Sequence, residues 1–480
     1  MRLLLVLLCV FLYLFGVIQA SPTTNTTNTT TSDSFKAPTF ATRTIWSIIS
    51  SSVLTLFACI YSAIHPNIPS PKDSPLLILR RRLGIMIMAL IAPELIVTWA
   101  MRQWISACRV TRQFKESGFF KVSQQSENHR SIAATAEQYV EDHDRTRLLL
   151  AHPEAPTPET RALAKPFKKL FKAYVSEQSE DYTWTQTHSF FVLMGGFMLY
   201  VDGKPYHTLQ PDEVLKLIRA GCIDAPTLTA NRIHDKSKGN AISKGLVMLQ
   251  VAWFIMQLIT RAIYHLETTQ LEVGTLAFAV LNFLTYAVWW NKPLDVQCPY
   301  PVYWKSTESW PEDHIDFSEI DEFTWFEILF RVILVPIVEL LGVPSLLPSR
   351  KLRVPTFDGS IELEDSATMV LKLAGLLMAT IFGGIHCMAW FFAFPTYQEQ
   401  VLWRISAVAI TCTPSFVFLT ISIVEVLNPS NAVAIPILAL YALLYITARS
   451  VLLVLMFATL HNLSPNAYKA VLWTSLVPHL

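Results

Sequence analysis

At 480 residues the chain is 52% hydrophobic but only 16% charged, against about 25% charged residues in ordinary soluble domains, which excludes a simple water-soluble globule. Its 38 Lys and Arg nearly balance 37 Asp and Glu, so no basic field points to nucleic acid. Seven cysteines, without a CxxC pair or a Cys/His cluster of zinc spacing, support neither a disulfide framework nor a metal centre.

Residues 1–20 read as a signal peptide: Met1-Arg2, an apolar run from Leu3 to Ile18, then small residues around Ala20-Ser21. An uncleaved anchor helix is the alternative. Residues 21–44 form a Thr/Asn-rich tail too polar to build a core, with tandem sequons at Asn25 and Asn28 that suit glycosylation in the secretory pathway.

Residues 45–104 hold two predicted transmembrane helices. The first, Ile45 to Ile64, is uncharged and serine-rich. The second, Leu83 to Trp104, is interrupted at Pro93-Glu94 and closes on Arg102. The link between them ends in Arg80-Arg81-Arg82, the signature of a cytoplasmic loop.

Residues 105–243 are a polar insert, placed on the same side as the N-terminus by counting spans. Helical character runs from Ser126 to Leu150. A basic amphipathic helix, Lys165 to Tyr174, either lies on a membrane or packs on its own domain, and its charge favours the cytoplasmic leaflet instead. From about Thr183 to Ile233 a small α+β subdomain is expected. There Asp202-Gly203 turns a hairpin, and Pro211 to Ala220 makes a helix that ends at Gly221.

Residues 244–290 read as a transmembrane hairpin, each arm near the roughly 20 residues that cross a bilayer. The connector 291–324, with Trp289 and Trp290 just before it and Tyr300, Tyr303 and Trp304 within it, suits an interfacial aromatic belt. Residues 325–343 either span or lie flat, because Glu327, Arg331 and Glu339 share one stripe. After a second connector, 344–366, residues 367–461 hold three further spans, followed by a tail, 462–480. The fold class expected is therefore an all-α polytopic membrane protein of seven or eight helices with a small α+β extramembrane insert.

Ionisable and amide side chains inside apolar runs are costly in lipid and turn toward the bundle interior, so each is a site candidate. Glu94 follows a helix-breaking proline, and Arg102 ends that span. Gln250, Gln257 and Arg261 share one helical face. Glu272 and Asn282 lie near one side of the next helix, with Arg261 placed to pair with Glu272 across the turn. His386 and Arg449 complete the set. Either these residues knit helices together, or they line a polar cavity for an ion, a solute or a lipid headgroup. No GxSxG, HExxH, P-loop or GxGxxG pattern appears, and no catalytic residue, metal ligand or cofactor is assigned.

Several motifs carry a resemblance. They are Pro93-Glu94, Arg102-Gln103, Thr185-Gln186-Thr187-His188, Met194-Gly195-Gly196-Phe197, and Ser243-Lys244-Gly245 with Gln250, Trp253-Phe254, Gln257 and Arg261. Leu271-Glu272 and Tyr286 continue the series, and Trp289 to Val296 closes it. From Thr44 onward the chain resembles a large fungal family of multi-spanning membrane proteins without an established activity. The resemblance implies a fungal, membrane-resident protein and no reaction. The expected function is a non-enzymatic bundle, transporter-, channel- or receptor-like. Its partners are the lipid bilayer and a small solute or lipid, and its place is the endoplasmic reticulum or plasma membrane. A lipid-modifying membrane enzyme and a membrane-anchored interaction scaffold are the alternatives.

Overall fold

The computed structural model describes residues 40–120, 183–237, 241–305, 352–427 and 431–471. The signal peptide, Asn25 and Asn28, the helices expected over Ser126–Leu150 and Lys165–Tyr174, and the helix over 325–343 lie outside these residues.

Six helices among the described residues are long and apolar enough to cross a membrane. They are α1 (Ile45–Ala63), α7 (Ala241–Ile263), α8 (Gln270–Val288), α9 (Asp365–Cys387), α10 (Tyr397–Leu427) and α11 (Asn431–Ala458). Their starts are chemically marked. Thr44 accepts the Ser47 amide at the head of α1, and Thr269 with Glu272 forms a reciprocal capping box on α8. The innermost is α8, nearly all of whose side chains are buried, while α1, α10 and α11 leave apolar faces uncovered by protein.

The second span read from the sequence is corrected. Instead of one helix over Leu83–Trp104 there are two, α2 (Pro75–Ile91) and α3 (Pro93–Ser117), bent by 115° at Ala92. Pro93 has no amide hydrogen to donate and bars the preceding residue from helical geometry. Ala92 accordingly sits at φ −138°, ψ 71°. The second helix then runs beyond Trp104 to Ser117, where Gly118 closes it at φ 77°.

This bend moves the insert. α4 (Gln186–Leu193), β2 (Phe197–Val201), β3 (Lys204–Thr208), α5 (Pro211–Arg219) and α6 (Ala230–Lys236) pack against Ile64 and Ile68 after α1 and against Trp289 and Val296 after α8. They therefore lie at the end where α1 finishes, opposite Arg43. Counting the Pro93 break as a full crossing put the insert beside the N-terminus. The bent pair instead starts and finishes at the end of the bundle that carries the insert.

Asp202 and Gly203, at φ 50° and 74°, turn the hairpin as expected. However, β2 also pairs in parallel with β4 (Tyr300–Tyr303), so the connector completes the sheet in the order β3-β2-β4. Of the residues expected in the aromatic belt, Trp290 and Tyr303 are exposed, at 46% and 62%, but Trp289 is corrected. Trp289 is wholly buried, edge-on to Trp99 at 4.9 Å, and Tyr300 packs on Phe197. The two tails are also less free than expected: β1 (Phe40–Thr42) pairs antiparallel with β5 (Lys469–Val471).

Candidate functional site: three polar nodes in an apolar bundle

The polar residues of the described helices gather in three places. The first is the end of the bundle where α1 begins. Arg43 Nη1 donates to Glu272 Oε1 at 2.5 Å and its Nη2 to Oε2 at 3.2 Å. The Thr269 amide and hydroxyl donate to the same Oε2 at 2.9 and 3.0 Å. Arg261 does not pair directly with Glu272, which corrects the sequence expectation. The α8 cap turns the carboxylate toward Arg43. Arg261 instead donates to the carbonyls of Lys469 (2.7 Å), Ala467 (3.3 Å) and Glu267, whose dipoles solvate its charge.

Beside this node a cavity of about 440 Å³ opens between α1 and α7, within the roughly 300–1,000 Å³ of ligand pockets. Ser47, Ser50, Ser51 and Ser52 line the α1 wall, and Gln250, Gln257, Thr260 and Arg261 line the α7 wall. Glu272 and Arg43 close its end. The common face expected for Gln250, Gln257 and Arg261 is thus the cavity wall. Gln250 Nε2 also donates to Thr55 Oγ1 at 3.0 Å, tying α7 to α1. Ser52 Oγ and Arg261 Nε are buried in this wall without a hydrogen-bond partner among the described residues.

The second node is the apex of the bent pair, where two helix ends meet inside the bundle. Each end leaves unpaired backbone groups. Arg449 Nε donates to the Leu90 carbonyl near the end of α2 at 3.3 Å, and Glu94 occupies the first turn of α3, the position that favours an anion. Tyr445 hydrogen bonds to Glu94. Arg449 Nη1 donates to His386 Nε2 at 3.0 Å. His386 Nδ1 lies 2.9 Å from the Phe382 carbonyl, so Nδ1 carries the hydrogen and the ring is neutral. Phe278 and Phe382, edge-on to each other, both lie against the guanidinium at 4.5 and 4.6 Å. Glu94, His386 and Arg449 therefore do converge, in an enclosed cluster that joins α2, α3, α9 and α11. Asn282 stands apart from both nodes, donating to the Phe278 carbonyl of its own helix at 2.9 Å.

The third node lies at the insert end, and of its members only Arg102 was among the sequence candidates. Lys292 is 3% exposed. Its ammonium donates to the His65 carbonyl at 2.6 Å and to Gln103 Oε1 at 2.9 Å, and it stands 4.5 Å from the Trp289 ring centre. Burial holds its proton affinity well below the ordinary lysine range. Gln103 Nε2 and Trp99 Nε1 both donate to the Asp358 carbonyl. Arg102 belongs here too, donating to the Phe357 carbonyl at 2.7 Å. Nearby His188 is fixed between the Thr185 amide and the Leu228 carbonyl, and burial lowers its proton affinity.

Among the missed residues, Arg43 and Lys292 fall outside the apolar runs in which the candidates were sought, while Tyr445 and Ser52 are uncharged members of them. The run Trp289 to Pro293 was visible only as a motif. Among the described residues no three His, Cys, Asp or Glu side chains gather as a metal site.

A family model described as a family of unknown function, DUF8562, matches residues 7–147 and 165–318, more than half of the chain. The matched stretches include α1, α7 and α8, the helices around the cavity. No curated protein and no solved structure matches the chain.

Proposed function

The chain belongs to the family of unknown function DUF8562, and from its own residues we propose a non-enzymatic, multi-pass integral membrane protein that holds a small polar or amphiphilic ligand between α1 and α7. The single observation that carries this reading is the cavity: a polar wall of serines, glutamines and arginine inside helices whose outer faces are apolar. Side chains such as Phe57, Leu246, Ile405 and Leu440 stand more than half exposed. Lipid as the solvent accounts for apolar faces outside and polar faces within.

The rest of the reading follows from the ends of the bundle. With an N-terminus delivered outside by a signal peptide, the Arg43 end faces the lumen or exterior, and the insert faces the cytoplasm beside Arg80-Arg81-Arg82. Residence in the endoplasmic reticulum or plasma membrane, and the fungal origin implied by the resemblance, belong to the same proposal.

A second reading, a membrane-embedded lipid-modifying enzyme, draws on the meeting of His386, Arg449, Tyr445 and Glu94. That reading needs a path to the cluster, whose members are at most 8% exposed. Capping the broken helix accounts for these groups without chemistry.

Cysteine labelling in isolated membranes, followed peptide by peptide with mass spectrometry, tests the cavity. Ser51→Cys, on the half-buried cavity wall, reacts with a charged, water-soluble thiol reagent, whereas Val408→Cys, on the outer face of α10, stays unmodified. A Ser51→Cys as inert as Val408→Cys would remove the polar cavity and the function built on it.

A further inference from the structure

The shape and charge of the cavity specify its occupant more closely. Among the lining residues Arg43 and Arg261 stand against one carboxylate, Glu272, with Glu267 outside the lining also acting on Arg261. Two groups buried in the wall still offer hydrogens: Arg261 Nε and Ser52 Oγ, in residues 4% and 1% exposed. A buried donor without an acceptor is unfavourable, so this wall matches a ligand that brings acceptor oxygens and negative charge.

Among the lining residues Leu54 and Trp253 are apolar and 57% and 40% exposed, the surface expected where acyl chains pass. At 1.5 Å per residue the α7 wall from Arg261 to Gln250 is about 16 Å long, close to half of a roughly 30 Å hydrocarbon core. The cavity thus extends from one membrane surface to about mid-depth in a single leaflet.

We propose that the cavity between α1 and α7 binds the anionic headgroup of a membrane lipid, whose acyl chains leave between Leu54 and Trp253 into the leaflet on the Arg43 side. This rests on reading the helices as membrane spans and the cavity as a ligand site. A free anion would satisfy the two donors equally but gives the apolar surface no role.

The full-length protein in phosphatidylcholine-containing micelles is photo-crosslinked with a photoactivatable phosphatidic acid and, separately, with a photoactivatable phosphatidylcholine. Phosphatidic acid labels peptides of α1 and α7 in preference to phosphatidylcholine, and excess inorganic phosphate does not displace it. Ser52→Ala combined with Gln257→Leu weakens labelling about tenfold, the effect of losing a hydrogen bond to a charged group. Arg261→Gln is unsuitable because Arg261 also holds the 467–469 carbonyls. Should the double variant fail to fold, Ser51→Trp, which fills the groove from its rim, lowers the labelling instead.

Equal labelling by both lipids, labelling confined to other helices, or variants that label like the wild type would overturn the proposal. Displacement by inorganic phosphate would assign the site to a soluble anion and also overturn it. If Ser51→Cys is reactive but no lipid crosslinks, only the lipid is lost. If Ser51→Cys is inert, the cavity goes with it.

Discussion

Lys292 is the residue whose surroundings most clearly set a measurable property. Its ammonium has carbonyl and amide oxygens around it and aromatic rings beside it. Burial lowers its folded-state pKa well below the usual lysine value of about 10.4. Between the two values the unfolded chain binds a proton that the folded chain lacks, so this lysine's contribution to stability grows as pH rises and is fully present above the unfolded value. The thermal midpoint of the wild type in detergent should therefore climb relative to that of Lys292→Met as pH rises toward the unfolded lysine value of about 10.4. At neutral pH, Lys292→Met should lose about 1–3 kcal/mol, since the His65 carbonyl loses its lysine donor while Gln103 Oε1 keeps only the Trp289 indole. Parallel melting curves across pH check both; a constant gap between the two proteins would contradict the lowered proton affinity of Lys292. At this scale the sequence revealed the residues that stand out against an apolar background: Glu94, Arg261, Glu272, His386 and Arg449. It hid their partners. Glu272 meets Arg43 from 229 residues away, a pairing that helical spacing cannot anticipate.

Helix contacts turn on small residues. A Cβ added at Gly383 of α9 would run into Thr411 of α10, meeting its Cα at 2.8 Å and its hydroxyl closer still, whereas one added at Gly384 would meet nothing within 4 Å. Gly383→Ala should thus lower the thermal midpoint in detergent, with overpacking costing about 1–3 kcal/mol. Gly384→Ala should leave it unchanged or raise it, as alanine favours helix by up to about 1 kcal/mol. Equal midpoints for the two variants would mean that α9 and α10 do not touch at Gly383. The apolar runs made α1, α7, α8, α9, α10 and α11 legible, because helix length in an apolar run needs no knowledge of neighbours. Strand β4 was not legible: four residues, Tyr-Pro-Val-Tyr, carry little pattern, and their parallel pairing with β2 depends on a contact across about a hundred residues. The Ala92 corner was half legible. Pro93 signalled a break, but its 115° angle comes from α2 and α3 packing separately.

At the scale of the whole molecule, the six long helices alternate between two ends and the bent pair returns to the end it left. Residues 43 and 467–469 consequently meet at one end, while the insert and Lys292 occupy the other. Counting apolar segments alone could not give this parity, since one straight helix and a pair bent at Pro93 read alike. The same arrangement leaves α1 with two unlike faces: Trp46, Val53 and Phe57 point away from the protein, and Ser47 and Ser51 point into the cavity. A nitroxide scan along α1 in reconstituted membranes tests the central claim most directly. Labels at Val53 and Phe57 should collide mainly with oxygen, which concentrates in lipid, and labels at Ser47 and Ser51 mainly with a water-soluble relaxant, in a repeat of about 3.6 residues. Uniform access to the water-soluble relaxant around the whole helix would contradict the account, because α1 would then be neither sheathed in lipid nor wall to a cavity.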